Sequence, residues 1–177
     1  EYFNRFNKLN PNNLYILTYL GNCNYAKGNL EIAEIYAKQV IDMFPNYGWA
    51  QILLSKIKFQ NENYQDALEL IKSAENYMEN IIFHTYVCDL NYLEIYTKIN
   101  DKENIDKIFN NIKSNVDKRD YNIIMAQASY IIGDYANAKL YFEKMIEDKH
   151  VHLWIYPLIN DFWNSEISKM IKDKLNL

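Results

Sequence analysis

Four short turns recur along the chain, and no other feature limits its fold as strongly. Gly28-Asn29-Leu30, Glu62-Asn63-Tyr64, Asn100-Asp101-Lys102 and Gly133-Asp134-Tyr135 sit in like surroundings. Their starts are spaced by 34, 38 and 33 residues, and Pro11 to Pro45 is again 34. Three residues past each triplet stands Ala33, Ala67, Ile105 or Ala138. Four further on come Ala37, Ile71, Phe109 or Phe142, and three beyond those Val40, Ala74, Ile112 or Met145. Steps of four and three keep side chains on one face of an α-helix. A fixed period of this length marks a repeat architecture, in which each unit buries its apolar face against the next.

Composition points the same way. A chain of 177 residues holds only four Gly and three Pro, too few for a turn-rich β architecture, and its 15% aromatic content argues against disorder. At 21.2 kDa it is large enough for one sizeable core. The spacing predicts helices at 13–27, 30–44, 47–60, 64–78, 82–99, 102–115, 119–132 and 135–148. Four extra residues before the third turn predict about one added helical turn, or a kink, near Glu79 to Tyr86.

In the best copy the period falls on Leu17, Leu20, Gly21, Gly28, Asn29, Leu30, Ala33, Ala37, Val40 and Pro45. These residues resemble the signature of the tetratricopeptide repeat, a helix-turn-helix unit. Asn24 departs from the pattern where a second aromatic is usual, with Tyr25 beside it. The second copy carries Leu54, Ser55, Ala67 and Ala74; the third is degenerate, with Tyr92, Leu93, Tyr96 and Phe109; the fourth returns to form with Ala126, Gly133, Asp134, Tyr135, Ala138 and Phe142. Gly21 and Ala33 would let two helices approach closely, Gly28 would supply the tight turn, and Pro45 would close the second helix. With Gly21, Gly28 and Gly133 used in this way, little is left from which to build a phosphate-cradling loop.

The resemblance implies a single all-α domain, a right-handed α-solenoid of about four repeats with a carboxy-terminal capping helix. Residues 1–13 would end a preceding repeat, 14–47, 48–85, 86–118 and 119–150 would be the four repeats, and 151–177 the cap. Phe3 and Phe6 would belong to the second helix of the unit before, so the natural protein is expected to extend beyond Glu1. The closing stretch, from Leu153-Trp154-Ile155-Tyr156-Pro157-Leu158 to Leu177, is similar to the segment after the last repeat in bacterial winged-helix transcription regulators. Ser165-Glu166-Ile167 departs from that family's usual triplet there.

The resemblance also places ligand contacts on the first helix of each pair. The groove positions would be Tyr15, Thr18, Tyr19, Asn22 and Tyr25, then Trp49, Ile52, Leu53, Lys56 and Phe59. Leu90, Asn91, Glu94 and Lys98 follow, and then Ile123, Gln127 and Tyr130. Tyr15, Tyr19, Asn22, Trp49, Lys56, Phe59, Gln127 and Tyr130 are the candidate partner-binding residues, because rigid aromatic rings give contact area at small entropic cost. Packing of several of these side chains between helices, or under a preceding repeat, is the competing reading. Thr18, Val87 and Ile124 stand where a carboxylate clamp would need cations, so chaperone-tail recognition of that kind is not expected.

Other chemistries find little support in the residues. The net charge of −4 has the wrong sign for unspecific phosphate binding, and no apolar run is long enough to span a bilayer. Of the three histidines, His150 and His152 near Asp148 are the sole cluster resembling a metal site, and they lack a fourth ligand; His84 stands apart. No nucleophile motif occurs, so neither enzyme activity, cofactor nor metal is expected. Cys23 and Cys88 lie two repeats apart and read as buried free thiols, with a reducing, cytoplasmic compartment as the inference. The expected function is a protein-interaction or scaffold module of a bacterial regulatory protein, taking a partner's peptide or helix. A sensory domain that binds a small ligand or signalling peptide and switches an amino-terminal effector is the alternative. A secretion chaperone, dimeric through Phe3 and Phe6, is another.

Overall fold

The computed structural model describes residues 12–78, 85–118, 120–147 and 169. Among them are eight α-helices and no strand: α1 Leu14–Ala26, α2 Leu30–Met43, α3 Gly48–Gln60, α4 Tyr64–Met78, α5 Thr85–Lys98, α6 Lys102–Asn115, α7 Tyr121–Ile131 and α8 Tyr135–Glu147. They follow the expected windows in order and type. The added turn or kink expected near Glu79 to Tyr86 falls largely on residues outside the described ones, as do Phe3, Phe6 and most of the capping segment.

All four turns are built alike. One residue in each is left-handed: Gly28 at φ 77°, Glu62 at 61°, Asn100 at 60° and Gly133 at 83°. The next backbone N–H then reaches five residues back, Asn29 to Asn24, Asn63 to Lys58 and Asp101 to Tyr96 at 2.9 Å each, and Asp134 to Ser129 at 2.8 Å. That bond satisfies a carbonyl the helix end would otherwise leave open. In the last two turns the same residue caps the helix that follows. Asp101 and Asp134 accept from the backbone N–H groups of Asn104 and Asn137, both at 3.2 Å. The side-chain amides of those asparagines donate back to the same carboxylates at 2.8 and 2.7 Å. These hydrogen bonds, the side-chain ones first, hold both carboxyls below their usual range. Chain reversal therefore takes three residues.

The chain packs as two compact units, Glu1–Asn91 and Tyr92–Leu177, with the boundary inside α5. In the first, α1 packs on α2, α2 on α3 and α3 on α4. Ala33 and Ala37 of α2 meet Leu53, Leu54 and Ile57 of α3, while Leu17, Val40 and Ala50 form a second buried cluster. Gly21 of α1 leaves no room for a side chain against α2 and α3. A Cβ there would lie 2.6 Å from Leu53 Cδ2 and 3.3 Å from Tyr36 Cβ. Ser55 holds the corresponding position in the next pair, and its buried hydroxyl donates to the Ala67 carbonyl at 2.8 Å, tying α3 to α4. Gln51 Nε2 donates to the Pro45 carbonyl at 2.7 Å and to Ser73 Oγ at 3.0 Å, fixing the linker ahead of α3. In the second unit α7 packs on α8, with Ile112, Ile124, Ala126, Ala138 and Phe142 buried. The small and apolar residues of the period are thus core in the first, second and fourth copies, while Ile105 and Phe109 of the third are half-buried.

The repeated left-handed residue yields a paired test. This backbone costs a residue with a Cβ about 1–2 kcal/mol, and glycine gives part of the difference back through its freedom when unfolded. A Cβ at Gly28 would touch nothing within 4 Å, so any loss there is backbone strain alone. Gly28→Ala is expected to lower stability by about 1 kcal/mol, and Glu62→Gly to raise it by roughly 0.5–1 kcal/mol. Urea midpoints of the two variants beside the parent decide it.

Candidate functional site

Helix α1 contains no acidic or basic residue, and it buries Leu17, Thr18, Leu20 and Gly21. Its opposite face carries Tyr15, Tyr19 and Asn22, spaced as i, i+4 and i+7. Tyr15 is 62% and Tyr19 56% exposed, among the most open large apolar side chains of the described residues. Asn22 is exposed too, with its side-chain amide donating to the Thr18 carbonyl at 3.0 Å. Thr18 Oγ1 donates to the Leu14 carbonyl at 2.7 Å. The ring of half-buried Tyr47, in the linker before α3, meets Tyr15 edge to face, with centroids 6.1 Å apart and planes at 89°. Burial, and then Tyr15, push the Tyr47 phenol up to about 12 against a lowering hydrogen bond with Thr18, and Tyr19 and Tyr77 add to the rise. The result is an uncharged cluster of tyrosines on one side of the first unit.

The other candidates are placed differently. Trp49, in the first turn of α3, is half-buried. Phe59 lies against Tyr64 across the following turn, ring centroids 5.7 Å apart, and Tyr130 lies against Tyr135 at 5.4 Å in the same relation. Tyr25 and Leu30, on either side of the first turn, both pack against the buried cluster of Ala33, Ala37, Leu53, Leu54 and Ile57. At these positions the aromatic side chains clamp the turns. Lys56 is only 9% exposed and Gln127 only 1%, and neither end of the Gln127 amide meets a hydrogen-bond partner among the described residues. Ile52, Leu53, Leu90, Asn91 and Ile123 are buried as well, and the Asn91 amide donates to the Val87 carbonyl at 2.7 Å. Position counting treats a first helix as open on one side. Helix α3, with buried residues running from Ala50 through Ile57, is covered nearly all round.

Two members of the cluster escape that counting. Tyr47 belongs to a linker and Tyr77 to a second helix. Within the sequence, the clue to Tyr47 is its place two residues after Pro45, where the chain turns to start α3.

No family model matches the sequence, and no curated protein matches it significantly. Solved structures do. A thermophilic TPR protein of Thermus thermophilus superposes with a TM-score of 0.66 over 99% of this chain and 88% of its own, at 16% identity. The fold is that of the tetratricopeptide repeat. Its signature positions are the ones buried here: Gly21 and Ala33 at the close approach of the first repeat, Ala67 and Ala74 in the second, Ala138 and Phe142 in the fourth.

The repeat geometry also sorts the thiols. Cys88 is buried, and burial, with Glu75 and Asp89 adding to it, pushes its thiol up to about 12. Cys23 is exposed, which corrects the expectation of two buried thiols. It sits on α1 outside the buried stripe through Leu17, Leu20 and Gly21. No group of three His, Cys, Asp or Glu among the described residues is arranged to hold a metal, and His84, His150 and His152 lie outside those residues. No helix among the described residues is long and apolar enough to cross a membrane.

A chromogenic disulfide reagent is expected to titrate Cys23 at once in the native protein and Cys88 only after unfolding. Alkaline pH gives a second test. In the fold Cys88 and Tyr47 keep protons that the unfolded chain releases near 9.0 and 10.0, so their stabilisation is complete below about pH 9. It is lost as pH rises towards 12. Urea midpoints should fall over that window, and Tyr47→Phe should flatten the upper part of the fall.

Proposed function

We infer that this chain is a non-catalytic interaction module that takes a peptide or helix of a partner protein on the tyrosine face of α1. One observation carries the reading: Tyr15 and Tyr19 stay open to solvent on an uncharged helix while the apolar residues of the repeat signature are packed. Exposed aromatic residues that are grouped, rather than scattered, mark interaction surfaces. Tyr47 backs the pair from the linker, so the rings meet a partner already ordered. The fold supports the same reading, since repeats of this kind display their first helices side by side as a rigid surface. Trp49, half-buried at the start of α3, is a further candidate contact. Lys56 and Phe59 are assigned a secondary part, because the first is buried and the second is engaged with Tyr64, and Gln127 and Tyr130, which belong to the second unit, are left out of this face. Membership of a bacterial regulatory protein rests on the sequence of 151–177 alone.

The test is an affinity capture from native lysate with the wild-type chain, a Tyr15→Ala/Tyr19→Ala double variant and Ile35→Ala, which alters an exposed residue of α2 instead. A partner held through the face is expected to be retained by the wild type and Ile35→Ala and to be weakened about tenfold or more by the double variant, on remeasurement with purified protein. Equal capture by all three would place the interaction elsewhere on the chain.

A further inference from the structure

Helix α6 differs from the other second helices of the repeats in what it buries. Ala33, Ala37 and Val40 of α2 and Ala67, Ile71 and Ala74 of α4 are fully buried, and Ala138, Phe142 and Met145 of α8 are buried too. Of the matching residues in α6 only Ile112 is buried, while Ile105 and Phe109, with Ile108 beside them, are half-buried. Helices in proteins owe most of their stability to the packing of an apolar face. Among the second helices, α6 has the least of that packing.

Its own sequence does not make up the difference. Asn104, Asp106, Asn110, Asn111, Ser114 and Asn115 are six of its fourteen residues. Each favours a helix less than Ala does, by roughly 0.5–0.7 kcal/mol, because a short polar side chain competes for backbone hydrogen bonds. Helix α2 has one such residue in fourteen, Asp42, and α8 one in thirteen, Asn137. The competition is visible near the end of α6, where Ser114 Oγ donates to the Asn110 carbonyl at 2.9 Å.

The two ends of α6 are held unequally. At the amino end Asp101 accepts from the backbone N–H of Asn104 at 3.2 Å and from its side-chain amide at 2.8 Å. At the carboxy end Lys113, Ser114 and Asn115 are all exposed. Few buried apolar residues, low intrinsic preference and an open end are what a segment needs to unfold without the rest of its domain.

We propose that α6 is a locally unfolding element of the third repeat, which opens from its carboxy end while α7 and α8 stay folded. Helix α7, on which α6 packs, has no charged residue and is buried from Ile123 through Ser129. Opening of α6 therefore uncovers apolar surface that the closed repeat hides. The element is separate from the tyrosine face of α1, and either can fail without the other.

Hydrogen–deuterium exchange of the full 177-residue chain, read by mass spectrometry at peptide resolution, tests this. After correction for intrinsic rates, the α6 amides are expected to exchange about 100-fold faster than those of α7 and α8, with residues 110–115 ahead of 104–109. Equal protection of the three helices overturns the proposal. Asn110→Ala/Ser114→Ala raises the helix preference at two exposed positions, and it should slow exchange in α6 about fivefold while leaving α8 unchanged. Slowing in α8 as large as in α6, or none in α6, means that α6 does not open by itself and overturns the proposal as well. Circular dichroism establishes that the variant remains folded.

Discussion

The N–H that follows each left-handed turn residue bonds a carbonyl five residues back, and the next helix starts within a residue of it. Closing one helix and opening another within three residues fixes the separation of the paired helices, because no slack remains to let them slide. Close separation favours small side chains where the pair meets, as at Gly21 and at Ala33, Ala67 and Ala138, while the degenerate third copy carries a half-buried Ile105 instead. The period of the sequence is thus a consequence of turn geometry acting through helix contact. Where glycine is absent from the turn, as at Glu62 and Asn100, the backbone still takes the left-handed form. The hairpin outweighs the local preference of the residue.

Tight pairing also settles which residues can meet a ligand. Helix α3 has neighbours in both α2 and α4, and most of its length is taken up in packing. Helix α1 packs chiefly through one stripe, and the residues opposite that stripe are left to solvent. Tyr15 and Tyr19 are among those exposed residues. Tyr47 joins them because the linker that Gln51 holds at Pro45 brings the chain back beside α1.

The helices, the turns and the core of the repeats were legible in the sequence because short-range spacing determines them. Ala33, Ala37 and Val40 are buried by the same steps of four and three that identify the helix. The surroundings of the candidate residues were legible in part. Tyr15, Tyr19 and Asn22 could be read from one helix face, but the roles of Phe59 and Tyr130 depend on Tyr64 and Tyr135, which come after the turn and fold back on them. The burial of Lys56 and Gln127 depends on how completely a helix is covered, and a count along one helix does not contain that. Cys23 escaped for a related reason: a helix with a narrow buried stripe leaves small apolar residues outside it.

The lack of charge on α1 shapes the kinetics of whatever docks there. A helix without ionic groups adds little field of its own, so a ligand that docked there would find no ionic steering from α1 itself. Added salt screens little on such a face and leaves encounter nearly untouched. Discrimination between good and poor ligands of such a face would then lie in residence time more than in encounter rate.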